Sequence, residues 1–207
     1  MIKGLRHRDI YDPRKYESKR VAVIGVGTIG SHLALTLARM QIPLVIYDHD
    51  TVEEHNLATQ SYTRSSIGAY KVEAVQRQCV AIGSEEEAVQ AHACKFSSTD
   101  ADIVVSCVDS LEARRTIAEA LGEDSRPIHD GRVGAEQVEV YRFNNAREWL
   151  EALPLEADTD PCGARFTAYT ANICAGLLAN NIKRELLAQS VQQRLLYDAH
   201  TSSFLKP

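Results

Sequence analysis

The chain has 207 residues, of which 44% are hydrophobic and 25% are charged, a composition that fits one globular domain rather than two. Its formal net charge of −5 gives no broad basic field, so neither nucleic acid nor a membrane surface is an expected partner. The five cysteines are widely spread without a C-x-x-C pair, which argues against a disulfide framework, and the lack of an apolar leader or spanning run predicts a cytoplasmic protein.

The clearest local signal is an apolar strand, a glycine-rich turn and a helix that follow one another directly. Residues 1–20 are polar and are expected to form an arm. The run Val21–Ile24 then enters a G-x-G-x-x-G turn at residues 25–30, an amphipathic segment follows at 31–40, and Leu44–Tyr47 ends at Asp48. This order is typical of a mononucleotide-binding βαβ unit, in which backbone N–H groups receive a phosphate and the acid binds ribose.

The remaining chain alternates between helical and extended patterns. Alternation of this kind predicts an α/β, Rossmann-like, doubly wound and mostly parallel sheet with helices on both faces, here over residues 21–189. From residue 190 we expect a loosely held tail. The predicted helices are 71–82, 111–121 and 165–187, the predicted strands are 88–96, 101–107, 127–129 and 137–143, and long connections are expected at 49–69 and 144–163.

Acids, amides and cations gather where such a sheet binds its ligand, beyond the carboxyl ends of the strands. An enzyme that acts on ATP needs cations and amides that steady charge as pyrophosphate leaves. It also needs a carboxylate for Mg²⁺, and Asp109, after a predicted strand, suits that role. The other candidates at this edge are Asp48, Asp130 and, in the loop after Asp48, Asp50, Asn56, Gln60, Arg64 and Lys71.

Several segments together resemble the ThiF/MoeB/HesA family of adenylating enzymes, which are related to ubiquitin-activating enzymes. Between about residues 20 and 120 these are GVGTIGSHLA, YDHDTVEEHNL with Gln60, GAYKVEA, and VVSCVDS followed by EARR. Two later segments, DGRVGAEQVEVYRF and PCGARFTAYTANICAGLLANNIKREL, look like the short ThiF-like proteins of phages and mobile elements. The resemblance therefore covers most of the chain.

This resemblance implies adenylation of the C-terminal glycine carboxylate of a small ubiquitin-like or sulfur-carrier protein, with ATP and Mg²⁺ as cofactors. Carried over by position, the resemblance implies that Asp48 binds ribose, that Asn56 and Lys71 contact phosphates, and that Asp109 holds Mg²⁺. By the same resemblance, the phosphate turn consists of Gly25, Gly27, Thr28, Ile29 and Gly30, and Asp50 and Gln60 complete the nucleotide-binding set.

The sequence departs from the family pattern at two points. The N-L-x-R-Q pattern is here residues 56–60, with Thr59 where the arginine is expected. Arg64 is the candidate replacement, and if nothing replaces the arginine, catalysis would be weak or lost. The two C-x-x-C pairs that bind structural zinc in many members are absent, which argues against zinc.

Cys162 and the N-terminal arginines have two interpretations each. Cys162 precedes a predicted helix and lies near Arg165, both of which favour a thiolate, so it could accept the acyl group as a thioester or be a loop cysteine without chemistry. In relatives an N-terminal arginine reaches the partner's active site, so Arg6 and Arg8 are either such residues in an expected homodimer or ordinary exposed arginines. His129 is expected to be a hydrogen-bonded structural residue.

Two other functions stay open. An NAD-dependent oxidoreductase could use the same βαβ unit, would ignore Mg²⁺, and would leave Asn56 and Lys71 without a purpose. A binding subunit with this fold but without turnover is favoured by Thr59. The carboxylate could also belong to a small molecule or to RNA-linked threonine, although the weak basic character disfavours RNA.

Overall fold

The computed structural model describes residues 9–154 and 167–205, and its centre is one eight-stranded sheet. The strand order is β3-β2-β1-β4-β5-β6-β7-β8. The first five strands in this order run parallel and the last three pair antiparallel, so the predicted mostly parallel α/β sheet is confirmed. The strands are β1 (Val21–Ile24), β2 (Leu44–Tyr47), β3 (Val89–His92), β4 (Ile103–Ser106), β5 (Ile128–Gly134), β6 (Gln137–Phe143), β7 (Arg194–Asp198) and β8 (Ser203–Leu205).

Helices cover both faces of the sheet, as predicted. Helices α1, α2 and α5 pack on one face in a core with Leu33, Val75 and Leu178, whereas α3 and α4 cover the other face with Ile117 and Trp149. Because both faces are covered, every residue of β1, β2 and β4 is buried, which explains the apolar sequences of β1 and β2 and of β4 up to Ser106. The bounds are α1 (Thr28–Arg39), α2 (Lys71–Ala81), α3 (Leu111–Leu121), α4 (Ala146–Ala152) and α5 (Ala168–Leu186).

The strand order reverses beside β1, which lies between β2 and β4. At this point two loops leave the sheet in close contact, since Cys107 donates its N–H to the Ile24 carbonyl at 2.8 Å. Gly25 has φ +83°, and a Cβ there would lie 3.1 Å from the Cys107 backbone. Glycine is therefore required where the turn after β1 meets the loop after β4, and a ligand at this edge would contact both loops.

Two sequence expectations about the second half of the chain were wrong. The connection predicted at 144–163 contains α4, which Asn145 caps and which buries Trp149. The expected loose tail instead supplies β7 and β8, because β7 pairs antiparallel with β6 and the sheet continues past residue 189. These three elements are too short for a periodic pattern to reveal, and they depend on contacts with distant residues. None of the helices in the described ranges has the length and apolar character needed to cross a membrane.

Candidate functional site

The glycine turn presents free backbone donors to open space. Gly27 is the N-cap of α1 and provides no side-chain cap, so the first N–H groups of the helix, from Thr28 to Gly30, have no acceptor within the helix. A Cβ at Gly27 would have one neighbour within 4 Å, the Nε2 atom of Gln60 at 4.0 Å. Unpaired N–H groups at a helix N-terminus, with room in front of them, are suited to bind a phosphate.

Asp48, the predicted ribose ligand, also fixes the turn. Its Oδ2 accepts the N–H of Val26 at 2.9 Å, and its Oδ1 accepts the N–H of Asp50 at 2.9 Å. Each carboxylate oxygen has a second lone pair, so Asp48 can still accept a hydrogen bond from a ligand hydroxyl. The acid at the end of β2 thus joins the glycine turn to the following loop.

Lys71, at the start of α2, forms an ion pair at the same edge. Its Nζ lies 2.8 Å from Oδ2 of Asp50, and the lysine side chain is 9% exposed while that of Asp50 is 53% exposed. The hydrogen bond from Lys71 lowers the pKa of Asp50. A buried cation is thereby held by one half-exposed carboxylate and can be shared with an anion that approaches from solvent.

The loop that carries Gln60 is anchored on α1 by side chains that sequence reasoning missed. His32 Nε2 lies 3.0 Å from the Thr59 carbonyl oxygen and His32 Nδ1 lies 2.6 Å from Ser61 Oγ. Ser31 Oγ accepts the N–H of Ser61 at 3.0 Å. The polar pair Ser31-His32 directly after the glycine turn was the available signal, because such residues at the start of a buried helix need partners.

These anchors place Gln60 over the glycine turn. Its Nε2 faces the space above Gly27, and its Oε1 is buried without a hydrogen-bond partner among the residues that the structure describes. A buried amide oxygen without a hydrogen-bond donor is unfavourable, and a ligand or water could supply the donor. Asn56 is also buried, and its Oδ1 accepts the Glu53 N–H at 2.8 Å, which orients the amide group.

Asp109, the predicted Mg²⁺ ligand, is exposed and lies between two anchored residues. Val108 packs against the turn, 3.1 Å from where a Gly25 Cβ would lie, and Ser110 Oγ accepts the Ala113 N–H at 3.1 Å to cap α3. A second group of ligand atoms, one each from Asp48, His49 and Asp50, lies within 4.8 Å, but Lys71 already engages Asp50.

The structure places Arg64 at the surface, and it differs from the sequence expectations at Asp130 and His129. Arg64 is exposed in the short helix Arg64–Ser66, where its Nη1 lies 3.6 Å from Oε1 of Glu54. Asp130 is fully buried instead of facing a ligand. His129 is fully buried as well, and neither ring nitrogen has a hydrogen-bond partner in the described ranges, so the expectation of a hydrogen-bonded histidine was wrong. Cys162, Arg165, Arg6 and Arg8 lie outside the described residues.

Comparison with known proteins gives one family over nearly the whole chain. The ThiF family profile matches residues 9–205. Ubiquitin-like modifier-activating enzyme 5 of Drosophila willistoni is 31% identical over 136 residues, covering 56% of this chain and 33% of that protein. The Drosophila mojavensis protein of the same name is 29% identical over 232 aligned positions, covering 95% of this chain and 58% of that protein. The chain thus spans between a third and just over half of the length of these relatives.

Solved structures show the same fold. PaaA superposes with a TM-score of 0.74 at 19% identity, covering 96% of this chain and 68% of PaaA. Escherichia coli MccB, solved with ATP, superposes with a TM-score of 0.73 at 17% identity, covering 94% of this chain and 64% of MccB. These structures show the fold, and the profile match over residues 9–205 establishes that the chain belongs to the ThiF family.

Proposed function

We propose that this protein uses ATP and Mg²⁺ to adenylate the C-terminal carboxylate of a small ubiquitin-like or sulfur-carrier protein or of a peptide. Its family is one of adenylyltransferase-type enzymes, its relatives include ubiquitin-like modifier-activating enzymes, and MccB has been solved both with ATP and with MccA. The substrate and the cofactor are inferred for this chain from that family and from the chemistry of its site.

The observation that carries the proposal is the buried cation at the carboxyl edge of the sheet. Lys71 is paired there with Asp50 at 2.8 Å, close to the acid that ends β2. An enzyme that transfers hydride with NAD needs only an acid for ribose at this edge. Departure of pyrophosphate, in contrast, requires a cation that stabilises the developing negative charge. Space above Gly27 and the unpartnered Oε1 of Gln60 support a nucleotide in front of the turn.

The proposed reaction is attack by a carboxylate oxygen on the α-phosphorus of ATP, with cleavage of the bond to the bridging oxygen and departure of pyrophosphate. The N–H groups of residues 28–30, the amide of Asn56 and the ammonium of Lys71 would stabilise the charge that develops on the phosphates. Asp48 would bind ribose hydroxyls. Mg²⁺, assigned to Asp109, would supply charge neutralisation when bound. A carboxylate nucleophile needs no general base.

Two further parts of the proposal concern residues that lie outside the ranges described by the structure. Cys162 is proposed to accept the acyl group as a thioester, which a Cys162→Ala variant tests by accumulation of the adenylate. A homodimer in which Arg6 or Arg8 enters the partner's site is the proposed assembly, and sedimentation of the wild type tests it. Neither is required for adenylation itself.

One alternative has an observation in its favour. Thr59 stands where the family arginine is expected, and Arg64 is exposed beside Glu54. If no arginine reaches the phosphates, the protein would be a ThiF-fold binding subunit that holds ATP without turning it over.

ATP–pyrophosphate exchange with Mg²⁺ tests the proposal. The probes are small proteins that end in glycine and are encoded beside this one. Asp109→Ala and Lys71→Ala should each lower exchange about a hundredfold or more, because each removes a charge that acts on the leaving phosphates. Lys19→Ala is the matched control, since Lys19 also pairs with an aspartate, Asp102 at 2.6 Å, but just before β1, at the opposite edge of the sheet. That variant should stay within about twofold of wild type.

Exchange that needs a glycine-ended protein and is lost in both site variants supports adenylation. A wild type that binds ATP and forms a complex with such a protein, yet shows no exchange, would refute the enzyme proposal and favour the binding subunit. Exchange that survives in Asp109→Ala would refute the metal assignment.

A further inference from the structure

Arg114 differs from the other charged residues of α3 because it is buried. Arg114 stands three residues before Ile117, on the buried stripe of the helix, and its side chain is 9% exposed. It lies on the first turns of the helix that begins after the Asp109 loop. A buried guanidinium needs partners for its fixed fork of donors, and those partners show what it holds together.

The partners of Arg114 lie in two different segments. Its Nε donates to Oδ1 of Asp130 at 3.0 Å, and its Nη2 donates to the carbonyl oxygen of Val108 at 2.6 Å. One planar group therefore joins a strand residue to the backbone immediately before Asp109. This connection is made by the chain itself and does not require a ligand.

Asp130 is a rigid attachment point. It is fully buried in β5, and its Oδ2 accepts two bonds from Arg132, at 2.9 and 2.7 Å, and one from Trp149 Nε1 at 3.2 Å. A carboxylate with this many donors in the protein interior cannot shift without breaking several bonds. A backbone segment that Arg114 connects to Asp130 is therefore held in place relative to the sheet.

We propose that Arg114 is a positioning residue that holds the Val108–Asp109 backbone so that the Asp109 carboxylate is placed for a divalent cation bound with ATP. The inference rests on the proposed function. Asp109 is exposed, so its own side chain does not determine its place. Its backbone is fixed instead by Arg114 on one side and by the Ser110 cap on the other. Small misplacement of a positioning group is enough to weaken its action about a hundredfold.

The test compares ATP affinity by calorimetry in EDTA and in Mg²⁺, which measures metal-dependent binding without turnover. Arg114→Lys keeps a positive charge beside Asp130 but lacks the fork that spans two acceptors. The wild type should bind ATP at least about tenfold more tightly with Mg²⁺, and Arg114→Lys should lose most of this gain while keeping its affinity in EDTA. In an Asp109→Ala background, Arg114→Lys should cause no further loss.

Arg126→Lys is the matched control. Arg126 also joins an aspartate to backbone carbonyls, namely Asp124 to Thr99 and Ala101, but in the segments that precede β4 and β5, away from the Asp109 loop. It should retain the full Mg²⁺ gain. If Arg114→Lys does not fold, the double variant Arg114→Met/Asp130→Asn removes both partners of this ion pair together and should show the same loss.

An Arg114→Lys protein with the wild-type Mg²⁺ gain, or with equal losses in EDTA and in Mg²⁺, overturns the inference while leaving the proposed function intact. A wild type without ATP binding, or without any Mg²⁺ gain, overturns the metal part of the proposed function and this inference together. The wild-type measurement therefore separates the two failures.

Discussion

Adding one methyl group at Gly30 should damage the fold, whereas the same change at Gly27 should damage only ligand binding. A Cβ at Gly30 would lie 1.9 Å from the Gly25 carbonyl oxygen and 2.9 Å from its carbon. Ordinary contacts begin near 3.4 Å, so the carbonyl would have to retreat by about 1.5 Å. It cannot do so easily, because Gly25 abuts the loop after β4.

The expected loss for Gly30→Ala follows from these distances. Overpacking a well-packed site costs about 1–3 kcal/mol, and more when the backbone must move. Alanine recovers about 1 kcal/mol because it favours the helix more than glycine does. The required shift of about 1.5 Å puts this site at the upper end of that range, so we expect a net loss of about 2 kcal/mol or more, which corresponds to a fall in Tm of at least roughly 4–8 °C for a domain of this size.

Urea unfolding and thermal unfolding of Gly30→Ala and Gly27→Ala provide the measurement. Gly27→Ala should unfold close to wild type, because the added Cβ has open space around it apart from Gln60 Nε2 at 4.0 Å. It should nevertheless weaken ATP binding about tenfold or more, since the methyl group occupies the space in front of the helix N-terminus. A Gly30→Ala Tm within about 2 °C of wild type would refute this reasoning about the turn.

Two further predictions concern buried polar side chains. Burial, together with Arg142, lowers the pKa of His129 from 6.5 to about 3. Below pH 6.5 the unfolded state therefore binds a proton that the folded state does not. The free energy of unfolding should fall by about 2 kcal/mol between pH 8 and pH 5 for this reason. His129→Phe should remove this part of the urea-unfolding pH dependence, and an unchanged profile would contradict the assignment. Trp149→Phe should cost about 1–3 kcal/mol or more in urea unfolding, because Asp130 loses the 3.2 Å bond from Nε1 and the smaller ring leaves a cavity at a fully buried site; a neutral result would contradict both contributions.

The nucleotide-binding half of the fold could be predicted from sequence because its signals are local. The strands Val21–Ile24 and Leu44–Tyr47 match the apolar runs, and Leu111–Leu121 and Gln137–Phe143 have the bounds expected from their periodicity. In each case burial on both faces, or on one face at a regular interval, leaves a pattern within a few neighbouring residues.

The parts that could not be predicted depend on contacts between distant residues. The partner of Arg114 could not be predicted, because only the folded sheet brings Asp130 of β5 to it, and only α4 brings Trp149 to that carboxylate. The role of His32 could not be predicted either, because its partners lie in the loop at 59–61, which folds back over α1. Positions at the site were assigned through family resemblance, and their roles toward ATP and Mg²⁺ stay predictions.

The most direct test of the central claim follows one oxygen atom. A glycine-ended partner protein with ¹⁸O in its C-terminal carboxylate is incubated with the wild type, ATP and Mg²⁺, and hydroxylamine then captures the acyl group by attack at the carbonyl carbon. If the carboxylate attacks the α-phosphorus, the released AMP carries one ¹⁸O, which ³¹P NMR detects. Label in pyrophosphate or inorganic phosphate, or ADP as the nucleotide product, would contradict adenylation by this protein.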